Sequence, residues 1–288
     1  TMKTLQRILE AQPSQDGDGV KIHRLAGPSL HGVLNPYLMI DEINSDTAAD
    51  YIGGFPEHPH RGFETITYML AGRMRHRDHM GNEGVINPGD VQWMSAGRGV
   101  LHSEMPEQEQ GLLHGFQIWL NLPAAEKMQP PAYKELTREK IPAIGLSGGG
   151  QVRAIAGAVS IKDEQVSKRQ PLTGSLPPRS TQPLLLDVTL NADESVELTA
   201  DTHNPVLVYL YQGSSQSLHA RQLGVFDGAG ALQLTAGSEG LRALVLSGQA
   251  IDEPVVQYGP FVMNSREEIE QAFEDLRNDE FVELSNHG

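Results

Sequence analysis

Two short segments each set a pair of metal-ligand side chains two residues apart. His58 and His60 lie in FPEHPHRGFE (55–64), and His102 and Glu104 follow GRGVL (97–101). Side chains two apart on a strand leave from the same face. Two such segments, extended and facing each other in a barrel, would offer three imidazoles and a carboxylate to one ion. That donor set suits a divalent first-row metal, whereas calcium would require more carboxylates. Fe(II) is the expected ion, and Ni, Cu, Mn or Zn could use the same donors. Four ligands on an octahedral ion leave about two positions for water, substrate or O2. Glu64 is a second carboxylate candidate, as a ligand or as a partner orienting Arg or His. A rival group, His76-Arg77-Asp78-His79, also places a His and an Asp on one face. The flanking Arg75 and Arg77 make a surface position the expectation there.

The elements that must position these residues are short and β-rich. The chain has 288 residues, and its 30 Gly and 18 Pro punctuate strand-like runs at 64–70, 74–79, 91–95 and 113–120. In the last run Phe116, Ile118 and Leu120 share a face. A Pro-bearing connector at 123–131 is the first plausible boundary. Further strands are expected at 152–159, 184–190, 195–199, 206–211, 231–234 and 241–246, with a polar loop over 168–181. Short strands at this spacing indicate a sandwich or barrel. Ser265-Arg266-Glu267-Glu268 is a capping box, and Ile269, Ala272, Phe273 and Leu276 follow at helical spacing. A C-terminal amphipathic helix should therefore pack on a β domain. The two halves also resemble each other: 91–99 lines up with 232–240, which sets Ala243 against His102 and Val245 against Glu104. This is the pattern of a duplicated barrel in which one copy has lost its ligands.

The net charge of −15 argues against a nucleic-acid footprint or an anionic membrane partner. No apolar run approaches a membrane span. With zero cysteines there are no disulfides, thiolate ligands or cysteine nucleophile. The opening Thr1-Met2-Lys3 lacks the zones of a secretory leader, so a cytoplasmic location is expected.

On these residues the chain resembles the cupin superfamily and, far more specifically, the pirin family. His58, His60, Glu64 and Gly72 resemble the first cupin motif, and Gly89, Gly97 and His102 the second. The pirin resemblance rests on HPHRGFETITYML (58–70), NPGDVQWMSAGRGVLHSEMP (87–106), WLNLP (119–123) and EPVVQYGPFVMN (253–264). It implies an all-β bicupin: two double-stranded β-helix (jelly-roll) barrels packed together, with a short C-terminal helix. Residues 1–132 would be the metal-binding domain and 133–288 a degenerate cupin without a metal site. The ligands would be His58, His60, His102 and Glu104, with Glu64 outside the ligand set.

Some pirin-family members resemble quercetin 2,3-dioxygenases. That implies a flavonoid or other polyphenol substrate, O2 as co-substrate, ring cleavage with release of carbon monoxide, and Glu104 as the base for the 3-hydroxyl proton. Phe55, Arg61 and Asp41 are candidate substrate-pocket residues; Met69, Trp93 and Phe116 are further wall candidates. The alternative implied by the family is a metal- or redox-sensing regulator that binds a protein partner.

Overall fold

The computed structural model describes residues 1–200 and 203–282 and divides into two β-rich units. The first comprises Gln12–Arg138 together with the described residues from Ala250 onward; the second comprises Thr1–Ala11 and Glu139–Gln249. The expectation of a break at 132/133 took each half as one continuous stretch. Strand pairing divides the chain differently. Ala132–Leu136 hydrogen-bonds to Val91–Ser95, which holds it in the first unit. Thr4–Glu10 pairs with Gln222–Asp227 and so belongs to the second. No helix among the described residues is long and apolar enough to cross a membrane.

The first unit contains a four-stranded and a seven-stranded antiparallel sheet. The smaller runs Phe55–His60, Val100–Pro106, Met74–Asp78, Glu83–Ile86. The larger runs Ala132–Leu136, Val91–Ser95, Phe63–Ala71, Leu113–Asn121, Tyr37–Ser45, Val20–Ala26, Gln12–Asp16. Their inner faces meet, since the His60 ring lies 5.4 Å from that of Trp119. The segment FPEHPH carries two prolines and can be a strand only where one side needs no ladder bonds. Phe55–His60 is accordingly an edge strand, bonded only to Val100–Pro106 within its sheet.

The C-terminal segment clamps the bend that follows His60. Arg61 donates its backbone N–H to the Pro260 carbonyl (3.2 Å) and accepts from the Val262 N–H (3.0 Å). Gly62 has φ +93°, and a Cβ there would lie 2.0 Å from the Val262 carbonyl oxygen, so only glycine fits. The buried Lys127 ammonium donates to Gly62 O (2.8 Å), Val262 O (2.9 Å) and Asn121 Oδ1 (2.7 Å). Burial lowers its pKa to about 8, partly offset by Glu253 and Glu268. The helix Arg266–Arg277 starts as expected, with the Ser265 hydroxyl accepting from the Glu268 N–H at 3.2 Å. Its Ile269 and Ala272 pack with Phe261, Met263, Phe281 and Leu101. From this helix Asp275 reaches Arg61 at 2.8 Å, while Phe281 stacks under the guanidinium at 4.6 Å.

The second unit is one ten-stranded sheet system around an aliphatic core. The expected strand at 152–159 is two strands, Gln151–Ala156 and Ala158–Asp163, separated by Gly157 at φ +82°. The expected loop over 168–181 contains a short strand, Gln170–Thr173. The runs at 231–234 and 241–246 fuse into Leu232–Ser247.

Pairing also corrects the internal alignment. Leu241–Ser247 pairs with Leu184–Leu190 and with 207–213, much as Leu113–Asn121 pairs with Tyr37–Ser45 and Phe63–Ala71. Residues 232–235 pair with 195–198, as 100–104 pair with 55–60. Ala243 and Val245 therefore stand on the counterpart of Leu113–Asn121. The positions that answer to the imidazole strands are Val196, Leu198, Leu232 and Leu234, all buried in the core.

Two outcomes test this arrangement. Leu232→Ala should cost about 2–5 kcal/mol in denaturant unfolding and leave metal content per chain unchanged; metal loss would contradict the separation of core and site. Asp275→Asn leaves the buried Arg61 charge unpaired and should cost about 3 kcal/mol, the low end because Asp275 is partly open to solvent. Burial opposes ionisation of Asp275, but Arg61 and Gln271 hold its pKa below the ordinary 3.8. Its stabilisation is thus complete above that value and lost as pH falls through the lowered one. The wild type should lose this increment in acid, and the variant should not.

Candidate metal centre

His58 and His60 leave Phe55–His60 on one face, and His102 and Glu104 leave Val100–Pro106 toward the same interior. In the ladder His102 stands opposite His58. The Nε2 atoms of His58 and His60 are 3.0 Å apart, and those of His58 and His102 are 2.8 Å apart. Ligands at right angles on one ion with bonds of about 2.1 Å would be about 3 Å apart, so the spacing fits a metal centre. The His58 Nδ1–H donates to the Pro56 carbonyl at 2.8 Å, which in the neutral ring leaves Nε2 as a lone pair directed at its neighbours.

The electrostatics favour a metal cation over extra protons. His60 and His102 are buried, and burial, reinforced by the neighbouring imidazoles, holds both well below the ordinary histidine range. The Pro260 carbonyl works weakly the other way on His60, but Nδ1 of His60 and Nδ1 of His102 have no hydrogen-bond partner. Three clustered imidazoles, two of them buried and resistant to protonation, are a donor set for a borderline divalent ion.

Glu104 does not join this trio of nitrogens within 4.8 Å of one another. The ladder register shifts between His102 and Glu104, so Glu104 stands opposite Phe55, and such irregularities re-aim side chains near sites. Its Oε1 is 3.7 Å from His102 Nδ1. Gln117 Nε2 lies 3.1 Å from each carboxylate oxygen, and the Thr67 hydroxyl is 2.8 Å from Gln117 Oε1 and 3.3 Å from Glu104 Oε2. Glu64 is buried on Phe63–Ala71 and belongs to neither group of clustered donors.

In the rival group, the His76 and Asp78 side chains are not at the surface. His76 is 0% exposed, its Nε2–H donates to Asp78 at 2.8 Å, and its ring stacks on Tyr133. Arg75 and Arg77 alternate to the other face, where they meet Glu83 and Glu107. The strand parity that places the arginines outside therefore places His76 and Asp78 inside.

A cavity of about 950 Å³ opens beside the trio, lined by His58, His60, Glu104, Phe55, Trp119 and Asp41 among others. Of the three pocket candidates, Phe55 and Asp41 line this cavity. Asp41 is held by both nitrogens of an Arg24 fork at 2.8 and 2.7 Å, yet burial, only partly offset by Arg24, raises its pKa to about 6. Arg61 does not line the cavity: it is spent on Asp275, Phe281 and the Arg98 carbonyl. Met69 packs in a separate core cluster, Phe116 stacks on Tyr68, and Trp93 also lies off the cavity wall. Sequence reasoning missed Gln117, Trp119 and Thr67. It read the Phe116 face of 113–120 as the significant one; the opposite face carries the cavity. A Gln and a Trp alternating with core residues on a strand was the available signal.

Comparison with known proteins agrees with this geometry. The Pirin family model matches residues 19–120, and the model for the pirin C-terminal cupin domain matches 185–282. A Vibrio cholerae protein named "Putative quercetin 2,3-dioxygenase" is 44% identical over 283 residues, covering 97% of this chain and 98% of that protein. A pirin-like protein of Caulobacter vibrioides is 42% identical, covering 97% and 99%. The crystal structure of quercetin 2,3-dioxygenase from Acinetobacter baumannii superposes with TM-score 0.84 at 30% identity, covering 99% of this chain and 100% of that one. With the matched models, these relatives and the two cupin-type units, the chain belongs to the pirin family.

Proposed function

We propose that this chain is a metal-dependent dioxygenase of the quercetin 2,3-dioxygenase type, which opens a flavonol heterocycle with O2 and releases carbon monoxide. The observation that carries this reading is the convergence of three imidazoles, of which His60 and His102 are buried, beside a cavity of about 950 Å³ that His58 and His60 line. The names of the Vibrio and Acinetobacter relatives support the substrate class. The proposed setting is the cytoplasm, for which a chain without cysteine is suited.

His58, His60 and His102 would hold the ion, with Glu104 at its side, and Fe(II) is the proposed occupant on the donor types. When bound, the ion supplies Lewis acidity and an electron path between substrate and O2. The chain's own residues do the rest. Trp119, Phe55 and Met39 give the cavity apolar faces for a flat polyphenol. Asp41, anchored by Arg24, offers carboxylate oxygens to ring hydroxyls. Glu104 takes the proton of the 3-hydroxyl onto a carboxylate oxygen. Gln117 donates to that carboxylate and keeps it aimed at the cavity rather than collapsed onto His102. Thr67 in turn fixes the Gln117 amide by donating to its Oε1.

Oxygen uptake with quercetin on the iron-loaded protein is the direct test. Wild type should consume O2 in step with flavonol loss, and His58→Ala should fall to background; equal rates in the two would refute the dioxygenase reading. Glu104→Gln separates base from ligand. If Glu104 is chiefly the proton acceptor, the variant keeps its metal within about tenfold in affinity while kcat drops by about 10²-fold or more. Loss of metal in this variant would instead make Glu104 an obligatory ligand.

A further inference from the structure

The floor of the cavity is an area of the seven-stranded sheet, and the strand register divides it into two strips. Thr67 stands opposite Gln117, Gln117 opposite Asp41 and Asp41 opposite Arg24, so a polar row crosses four adjacent strands. Two residues along, Trp119 stands opposite Met39 and Met39 opposite Ala26. Side chains two apart share a face, and apart from Thr67 every residue of both rows lines the cavity. An apolar strip thus runs beside a polar one. Gln117, bonded to Glu104, marks the inner end of the polar strip.

The polar strip changes along its length. At the inner end Gln117 is committed: it donates to Glu104 and accepts from Thr67. One strand further out, a spacing of about 4.8 Å, each oxygen of the Asp41 carboxylate accepts one N–H of Arg24, at 2.8 and 2.7 Å. A carboxylate has about four acceptor sites, so both oxygens can take a further donor. Asp16 holds Arg24 from its other side, so two carboxylates share one guanidinium. The outer part of the strip therefore carries excess negative charge, with the buried Asp41 as its innermost member. Its complement is a neutral group with a hydrogen to donate. A ligand that covers Asp41 without donating takes water from a buried carboxylate and returns nothing.

We infer that Asp41, fixed by Arg24, is the specificity-determining residue of the cavity: it accepts a hydrogen bond from a hydroxyl on the outer ring of a flavonol that lies on the Trp119–Met39 strip. The inference rests on the dioxygenase reading, which puts the 3-hydroxyl beside Glu104. In a flavonol the outer ring is bonded next to the carbon that bears this hydroxyl. Its para substituent stands about one ring length away, which matches the single strand spacing between Gln117 and Asp41. The substrate class thereby narrows to flavonols with a free hydroxyl on the outer ring. A methyl ether has lost the donor. A sulfate adds charge where two carboxylates already outnumber one guanidinium.

The test is equilibrium titration of the Zn²⁺-loaded full chain without O2, so that binding is read in the absence of turnover. The pH is kept well above the value of about 6 to which burial raises the Asp41 pKa. Four flavonols are compared that differ only at the para position of the outer ring: hydrogen, hydroxyl, methoxyl and sulfate. Wild type should bind the hydroxyl form about 10–100-fold more tightly than each of the others. Asp41→Asn should bring the hydroxyl and methoxyl forms within about threefold of each other. Asp16→Asn, which keeps Asp41 and Arg24, should retain the preference for hydroxyl over methoxyl and narrow the gap to the sulfate. Unfolding of each variant is followed in parallel, and the wild-type series alone decides between donor recognition and shape if Asp41→Asn does not fold. Equal affinity for the hydroxyl and methoxyl forms in wild type, or a preference that survives in folded Asp41→Asn, would overturn the inference and leave the dioxygenase reading standing. Binding of none of the four would remove that reading and the inference with it.

Discussion

Three imidazoles, with His58 Nε2 about 3 Å from the Nε2 atoms of both His60 and His102 and with the latter two buried and resistant to protonation, are the constraint from which the rest of the first unit follows. Such a cluster has lone pairs to direct and no counter-charge of its own, so its natural complement is a cation other than H⁺. Holding it needs two strands at fixed register. One of them, Phe55–His60, is a proline-bearing edge strand with little ladder of its own. The chain compensates from a distance in sequence. Residues 260–263 bond across Arg61 and Gly62, Lys127 gathers the free carbonyls around that bend, and the terminal helix pins the Arg61 guanidinium. The EPVVQYGPFVMN stretch is therefore part of the site's support, although it supplies no donor to the imidazole cluster.

The second unit shows the same strand logic with the chemistry removed. Its counterparts of the imidazole-bearing strands pair in the same sense, but present Val196, Leu198, Leu232 and Leu234. Each buried aliphatic contributes about 1.5–3 kcal/mol of burial, whereas each buried imidazole must find partners or an ion. One architecture thus serves as a site in one unit and as an ordinary hydrophobic core in the other.

Much of this was legible in the chain. That His58 and His60 share a face, and likewise His102 and Glu104, was readable because strand alternation is local: a spacing of two fixes a face without knowledge of the partner strand. The helix was readable from Ser265 and the 269–276 spacing for the same reason. What failed depended on partners far along the chain. The break at 132/133 ignored that Ala132–Leu136 must satisfy its ladder on Val91–Ser95. The match of 91–99 to 232–240 followed a repeated strand-and-glycine pattern, and only pairing reveals that 232–235 corresponds to the strand that carries His102. Arg61 read as a pocket residue because Asp275, its partner, lies 214 positions away. His76 read as exposed because its arginine neighbours were weighed by composition rather than by parity.

The central claim is that one transition ion is held by the imidazoles of His58, His60 and His102. Anomalous diffraction from crystals prepared anaerobically with ferrous salt tests it most directly, with data on both sides of the iron edge. A single iron peak within bonding distance of those three Nε2 atoms is the predicted result. Density between the three rings without an iron signal, or iron bound only elsewhere on the chain, would contradict it.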